Sequence, residues 1–116
     1  MDLIVIAQSK STLCRVSGDV DISTSGLLRE RLLAVLQHPR VHLVVDLSGV
    51  TFMDASGLGA LMAARRRSTV LGGAVRLLAP SSPVKRVLQA SGLAMRFSVA
   101  PNPSTDPGLR VLVARD

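Results

Sequence analysis

The chain has no tryptophan, no tyrosine and only two phenylalanines, Phe52 and Phe97. That excludes the aromatic platform on which single-stranded nucleic acids stack. A lone cysteine, Cys14, excludes an internal disulfide and argues against a thiolate metal cluster. The apolar runs, such as LIVIA from Leu3 to Ala7, fall far short of the roughly 20 residues that cross a bilayer, so no membrane insertion is expected. The N-terminus lacks a basic stretch followed by an apolar one and a cleavage site, and a cytoplasmic setting is expected. Acidic residues are scarce, 8 against 14 basic ones, for a formal charge of +6. Such a surplus favours phosphate backbones through counterion release. The densest basic run, Arg65 to Arg67, instead falls towards the end of a predicted helix, where cations complement the dipole. Direct nucleic-acid binding is therefore not expected.

What is present is alternation. With 116 residues the chain is long enough for one domain with a real core, expected over 1–116. Leu3 to Ala7 and Thr12 to Gly18 read as a hairpin of two strands. Thr24 or Ser25 suits the cap of a first helix, whose Leu28, Leu32, Val35 and Leu36 keep helical spacing until Pro39. Val41 to Leu47 has the near-continuous β-branched character of a strand buried on both faces. A second helix follows from Ser56 and ends at Gly72 or Gly73, and Ala74 to Pro80 reads as the next strand. A third helix has Ser82 as cap, Pro83 in its first turn and Gly92 at its close; Met95 to Ala100 reads as a last short strand. In the tail, 101–116, Thr105 would cap a short helix with Leu109, Leu112 and Val113 facing inward, although RVLV also suits a strand. Strands alternating with helices predict an α/β domain on a mixed β-sheet.

The chemistry concentrates in DASGLG, Asp54 to Gly59, with Ser56 at its centre. A nucleophile elbow needs glycines two before and two after the serine, but Asp54 and Leu58 stand there. A triad needs a histidine at the hydroxyl. His38 lies at a helix end, and His42 lies at the far end of a predicted strand of roughly 20 Å. No catalytic residue is assigned. A phosphate-binding loop would need a lysine after its last glycine and no carboxylate facing the anion, and both conditions fail. Two readings stay open: Ser56 as a helix N-cap with Asp54 as a second acceptor, or Ser56 as an exposed hydroxyl that another protein phosphorylates.

Two stretches, GDVDISTSGLLRERL and VVDLSGVTFMDASGLGALMAARRR, resemble in order and spacing the two signatures of the STAS-domain anti-sigma factor antagonists. The resemblance covers approximately Leu3 to Ala100. It implies a single domain whose helices pack on one face of a mixed sheet. It further implies that Ser56, immediately before Gly-Leu, is the phospho-acceptor. In that family the unphosphorylated protein binds an anti-sigma factor serine kinase and releases the sigma factor, and phosphorylation ends the binding. ATP and magnesium then belong to the partner kinase, this chain needs no cofactor or metal, and a phosphatase is the further partner the scheme admits. Asp21, Thr24, Ser25, Asp54, Gly57 and Leu58 would form the docking surface. Related STAS domains serve as non-phosphorylated scaffolds in stress-sensing and lipid-transport assemblies, which is the alternative function.

Overall fold

In the computed structural model, which describes residues 1–102, the N-terminal apolar run forms β1 (Asp2–Ala7) and turns back into β2 (Thr12–Val20). The two strands pair antiparallel from Asp2↔Ser17 to Ala7↔Thr12, the predicted hairpin. From there the chain alternates: α1 (Ser25–Val35), β3 (His42–Met53), α2 (Ala55–Val70), β4 (Ala74–Leu78), α3 (Ser82–Ser91), a 3₁₀ turn over Ala94–Arg96, and β5 (Ser98–Ala100). The sheet order is β1-β2-β3-β4-β5, with every pair after the first parallel. A helix bridges each parallel step, as a crossover requires.

Alternate strand positions decide where the helices go. Cys14 and Val16 on β2, Leu43, Val45 and Leu47 on β3, and Val75 and Leu77 on β4 all join one buried cluster. Leu28, Leu32 and Leu36 of α1, Leu58 and Leu61 of α2, and Val84 and Leu88 of α3 enter the same cluster. All three helices therefore cover one face, as expected. Leu28, Leu32 and Leu61 are fully buried, each stabilising the fold by about 1.5–3 kcal/mol. The opposite face holds a smaller group, Leu13, Val44 and Leu78, beside an Arg15–Asp46 ion pair at 3.3 Å.

Several boundaries differ from the sequence reading. β3 does not stop at Leu47 but runs on through SGVTFM to Met53, because β2 extends to Val20 and offers it a partner. Between Arg15 and Ser17, and again between Gly18 and Asp19, β3 carries one residue more than β2. Such bulges let polar, glycine-containing sequence stay in a ladder, and Thr51 Oγ1 donates across it to Asp19 Oδ1 at 2.6 Å. Ser81 rather than Ser82 occupies the cap position of the third helix, although its hydroxyl makes no capping bond, and Pro83 lies inside the first turn, where no amide is missed. The final strand is only Ser98–Ala100; the 3₁₀ turn before it delivers Phe97 into the core. The second helix ends as predicted, with Gly72 at φ +72° just beyond it. The proposed tail helix, with Thr105, Leu109, Leu112 and Val113, lies outside the described residues.

Candidate functional site at the β2 and β3 ends

Val20 and Met53 are register partners on adjacent parallel strands, so the chain leaves the sheet at Asp21 and Asp54 side by side. Each aspartate then folds its next residues around one oxygen. Asp21 Oδ1 accepts from the Ser23 amide at 2.9 Å and from Ser23 Oγ at 2.6 Å. Asp54 Oδ1 accepts from the Ser56 amide at 2.9 Å, Ser56 Oγ at 2.5 Å and the Gly57 amide at 3.4 Å. Two Asp-x-Ser turns of the same form thus launch α1 and α2.

The cap of α2 is therefore Asp54, in extended conformation, and not Ser56. A carboxylate accepts two of the orphan first-turn amides and complements the positive helix end better than a hydroxyl would. Ser56 sits one residue inside the helix, half-buried, and its hydroxyl donates to the cap. That hydrogen bond is the main reason the Asp54 carboxyl is held below its ordinary pKa; burial and the charge of Asp21 push the other way. The Asp21 carboxyl is also lowered, chiefly by the Ser23 hydroxyl. Both are carboxylates at neutral pH and make one edge beside the serine electronegative.

At α1 the expectation of a Thr24 or Ser25 side-chain cap is corrected. Thr24 occupies the cap position, yet its hydroxyl makes no capping bond. It accepts from the Asp21 amide at 3.0 Å and reaches the Asp19 carbonyl at 3.2 Å, tying the turn back to β2. Ser25 is half-buried and lines, with Ser56, a concavity between the starts of α1 and α2. Asp21, Thr24, Ser25, Asp54 and Ser56 are thus brought to one end of the sheet.

Gly57 and Leu58 are corrections as surface residues. Leu58 is 3% exposed and belongs to the core. Gly57 is buried where an added Cβ would stand 2.8 Å from Val20 Cγ1 and 2.9 Å from Met53 Cγ. Glycine lets α2 approach the strand ends closely, so these two residues support the serine from beneath. Neither histidine approaches Ser56: His42 begins the twelve-residue β3, roughly 30 Å from its far end, and His38 precedes it at that same end.

Sequence reasoning missed Ile22 and Phe52, which are 84% and 46% exposed and flank the two aspartates. An isoleucine in a turn otherwise made of Asp, Ser and Thr was the available signal. It also missed Arg29 and Arg66, which line the concavity beside Ser56; their approach depends on helix packing.

A five-stranded mixed sheet with helices on one face, two aspartate turns and a helix-start serine define a class that the comparisons make specific. The family description "Mlab, STAS domain" matches residues 5–99. The anti-sigma F factor antagonist of Paenibacillus polymyxa is 32% identical over 90 residues, covering 77% of this chain and 74% of that protein. The crystal structure of an anti-sigma factor antagonist from Mycobacterium paratuberculosis aligns with TM-score 0.79 at 26% identity, over 99% of this chain and 94% of that one. The Bacillus cell fate determinant SpoIIAA in its phosphorylated form shares the fold, with TM-score 0.67 at 23% identity over 85% and 91% of the two chains. The chain belongs to the STAS-domain family, and within it to the anti-sigma factor antagonists.

Proposed function

We propose that this protein binds an anti-sigma factor with serine-kinase activity, frees the sigma factor held by it, and is switched off when that kinase phosphorylates Ser56. The observation that carries the reading is the Ser56 hydroxyl at the start of α2, hydrogen-bonded to the Asp54 carboxylate on a rim shared with Asp21. A hydroxyl whose proton points at a carboxylate has its oxygen lone pairs turned away from that carboxylate. A Bacillus protein that shares the fold is known in a phosphorylated form, which supports the reading. ATP and magnesium are supplied by the kinase, a phosphatase restores the active form, and the chain itself acts as a binding protein and not as an enzyme.

The switch follows from electrostatics. Phosphorylation adds about −1.5 to −2 charges at neutral pH. At the start of a helix the dipole offsets part of that charge, so the fold tolerates it. A partner packed against the same rim would have to desolvate a dianion beside two carboxylates. Like charges across an interface cost several kcal/mol, and about 1.4 kcal/mol is already tenfold in affinity.

Incubation with the cognate kinase and ATP, followed by mass spectrometry, tests the assignment. Phosphate should be found on Ser56 and be abolished in Ser56→Ala. Phosphate elsewhere, or none with partner binding unaffected by Ser56→Asp, would refute it and leave the non-phosphorylated scaffold as the function.

A further inference from the structure

The concavity at Ser56 does not end there. On α2, Ser56, Gly59, Ala63, Arg66 and Val70 recur every three or four residues and share one helical face. On α1, Gly26, Arg29 and Leu33 do the same. Those two stripes face each other across a trough in two joined sections. The first holds Ser56, Gly26 and Gly59; the second holds Leu33, Ala63 and Val70; Arg29 and Arg66 line both. From Ser56 to Val70 the trough follows α2 for about 20 Å, or four helical turns.

Its chemistry is one-sided. Arg29, Arg66 and Arg67 line it, all three exposed, and no lining side chain is acidic. None of the three guanidinium groups has an ion-pair partner among the described residues. Cations gathered without counter-charges repel one another, so the fold gains nothing from the arrangement. Between them the lining is apolar or bare: half-buried Leu33 and buried Ala63 lie low in it, the 82% exposed Val70 stands at its edge, and Gly26 and Gly59 leave space where an added Cβ would meet nothing within 4 Å.

From this geometry we infer that the α1–α2 trough is a docking groove for an acidic amphipathic helix of the protein partner, contiguous with Ser56. Carboxylates on such a helix would pair with Arg29, Arg66 and Arg67 while its apolar edge covers Leu33, Ala63 and Val70. A nucleic-acid backbone would use the charges but leave the apolar floor uncovered. This extends the proposed function, since the partner that meets Ser56 would be the one whose helix lies in the trough. It also gives a role to part of the +6 charge that a helix-end explanation left aside.

The probe is a fluorescent, hydrocarbon-stapled peptide of about four helical turns with glutamates on one face and leucines on the other. Titrated at about 0.15 M salt, it should shift the amide resonances of Gly26, Gly59 and Ala63. The double charge reversal R29E/R66E should weaken it by about tenfold or more, and the neutral pair R29Q/R66Q by less. Both sites are exposed, so circular dichroism should report an unchanged fold. Resonance shifts confined to other surfaces, unaltered affinity in both double variants, or tighter binding of a short DNA duplex than of the peptide would each overturn the inference. No kinase or nucleotide enters the assay, so its outcome is separate from whether Ser56 is phosphorylated.

Discussion

Two glycines of DASGLG, two residues apart in the sequence, should respond in opposite senses to the same methyl group. At Gly59 an added Cβ meets nothing within 4 Å, while at Gly57 it stands 2.8 Å from Val20 Cγ1 and 2.9 Å from Met53 Cγ. Both lie inside α2, where alanine is favoured over glycine by about 1 kcal/mol. Gly59→Ala should therefore stabilise the protein by about 1 kcal/mol. With unfolding entropy near 2.1 cal/mol/K per residue, that raises Tm by about 4 °C for a chain of this length. Gly57→Ala receives the same propensity gain but must displace Val20, which is fully buried and stiff at χ1, or the more pliable Met53. Overpacking of this kind costs about 1–3 kcal/mol, which leaves a net loss of up to about 2 kcal/mol. Urea and thermal unfolding measure both. A destabilised Gly59→Ala or a stabilised Gly57→Ala would refute the placement of α2 against the strand ends. The functional corollary is that Gly59→Ala, although more stable, fills part of the concavity beside Ser56 and should bind the partner less tightly.

Other perturbations probe the rest of the account. Asp54 and Asp21 have folded pKa values below their ordinary ones, so their stabilising contribution is present above about pH 3.9 and lost as pH falls through the lower folded values. Asp54→Asn should flatten that acid limb in pH-dependent urea titrations, and an unchanged slope would contradict the capping role. Burial pushes the Cys14 thiol up to about 11, with Arg31 opposing only in part. Iodoacetamide at neutral pH should leave it unmodified in the native protein and label it in urea; rapid native labelling would be inconsistent with its place in the core. Ile22→Ala and Phe52→Ala, both at exposed positions, should change stability by less than about 0.5 kcal/mol. Each should weaken partner binding by about 1 kcal/mol or more in calorimetry if it anchors the interface, and unaltered affinity in both would remove them from it.

Much of the fold was legible because periodicity and punctuation agreed. Leu28, Leu32 and Leu36 announced a helix and Val41 to Leu47 a buried strand, and Gly72 and Gly92 marked helix ends at positive φ. What local sequence did not carry was the effect of a neighbour. Ser48 and Gly49 look like a loop until β2 extends alongside them, and bulges absorb the mismatch. Ser56 looks like a cap until Asp54 is seen to take both first-turn amides. Leu58 looks available within a short motif, but helical geometry turns it into the core. Arg29 and Arg66 are 37 positions apart, and only the packing of α1 on α2 places them on one trough. The aspartates and the serine were found from their order in the chain; their hydrogen-bonded arrangement was not.

The central claim is that charge at Ser56, and not unfolding, dismisses the partner. Calorimetry at about 0.15 M salt should compare the affinity of the anti-sigma factor for the unmodified and the Ser56-phosphorylated protein, with circular dichroism run on both. A penalty of about 3 kcal/mol predicts affinity lower by a factor of roughly one hundred with superimposable spectra. Equal affinities, or a loss accompanied by a collapsed spectrum, would contradict it.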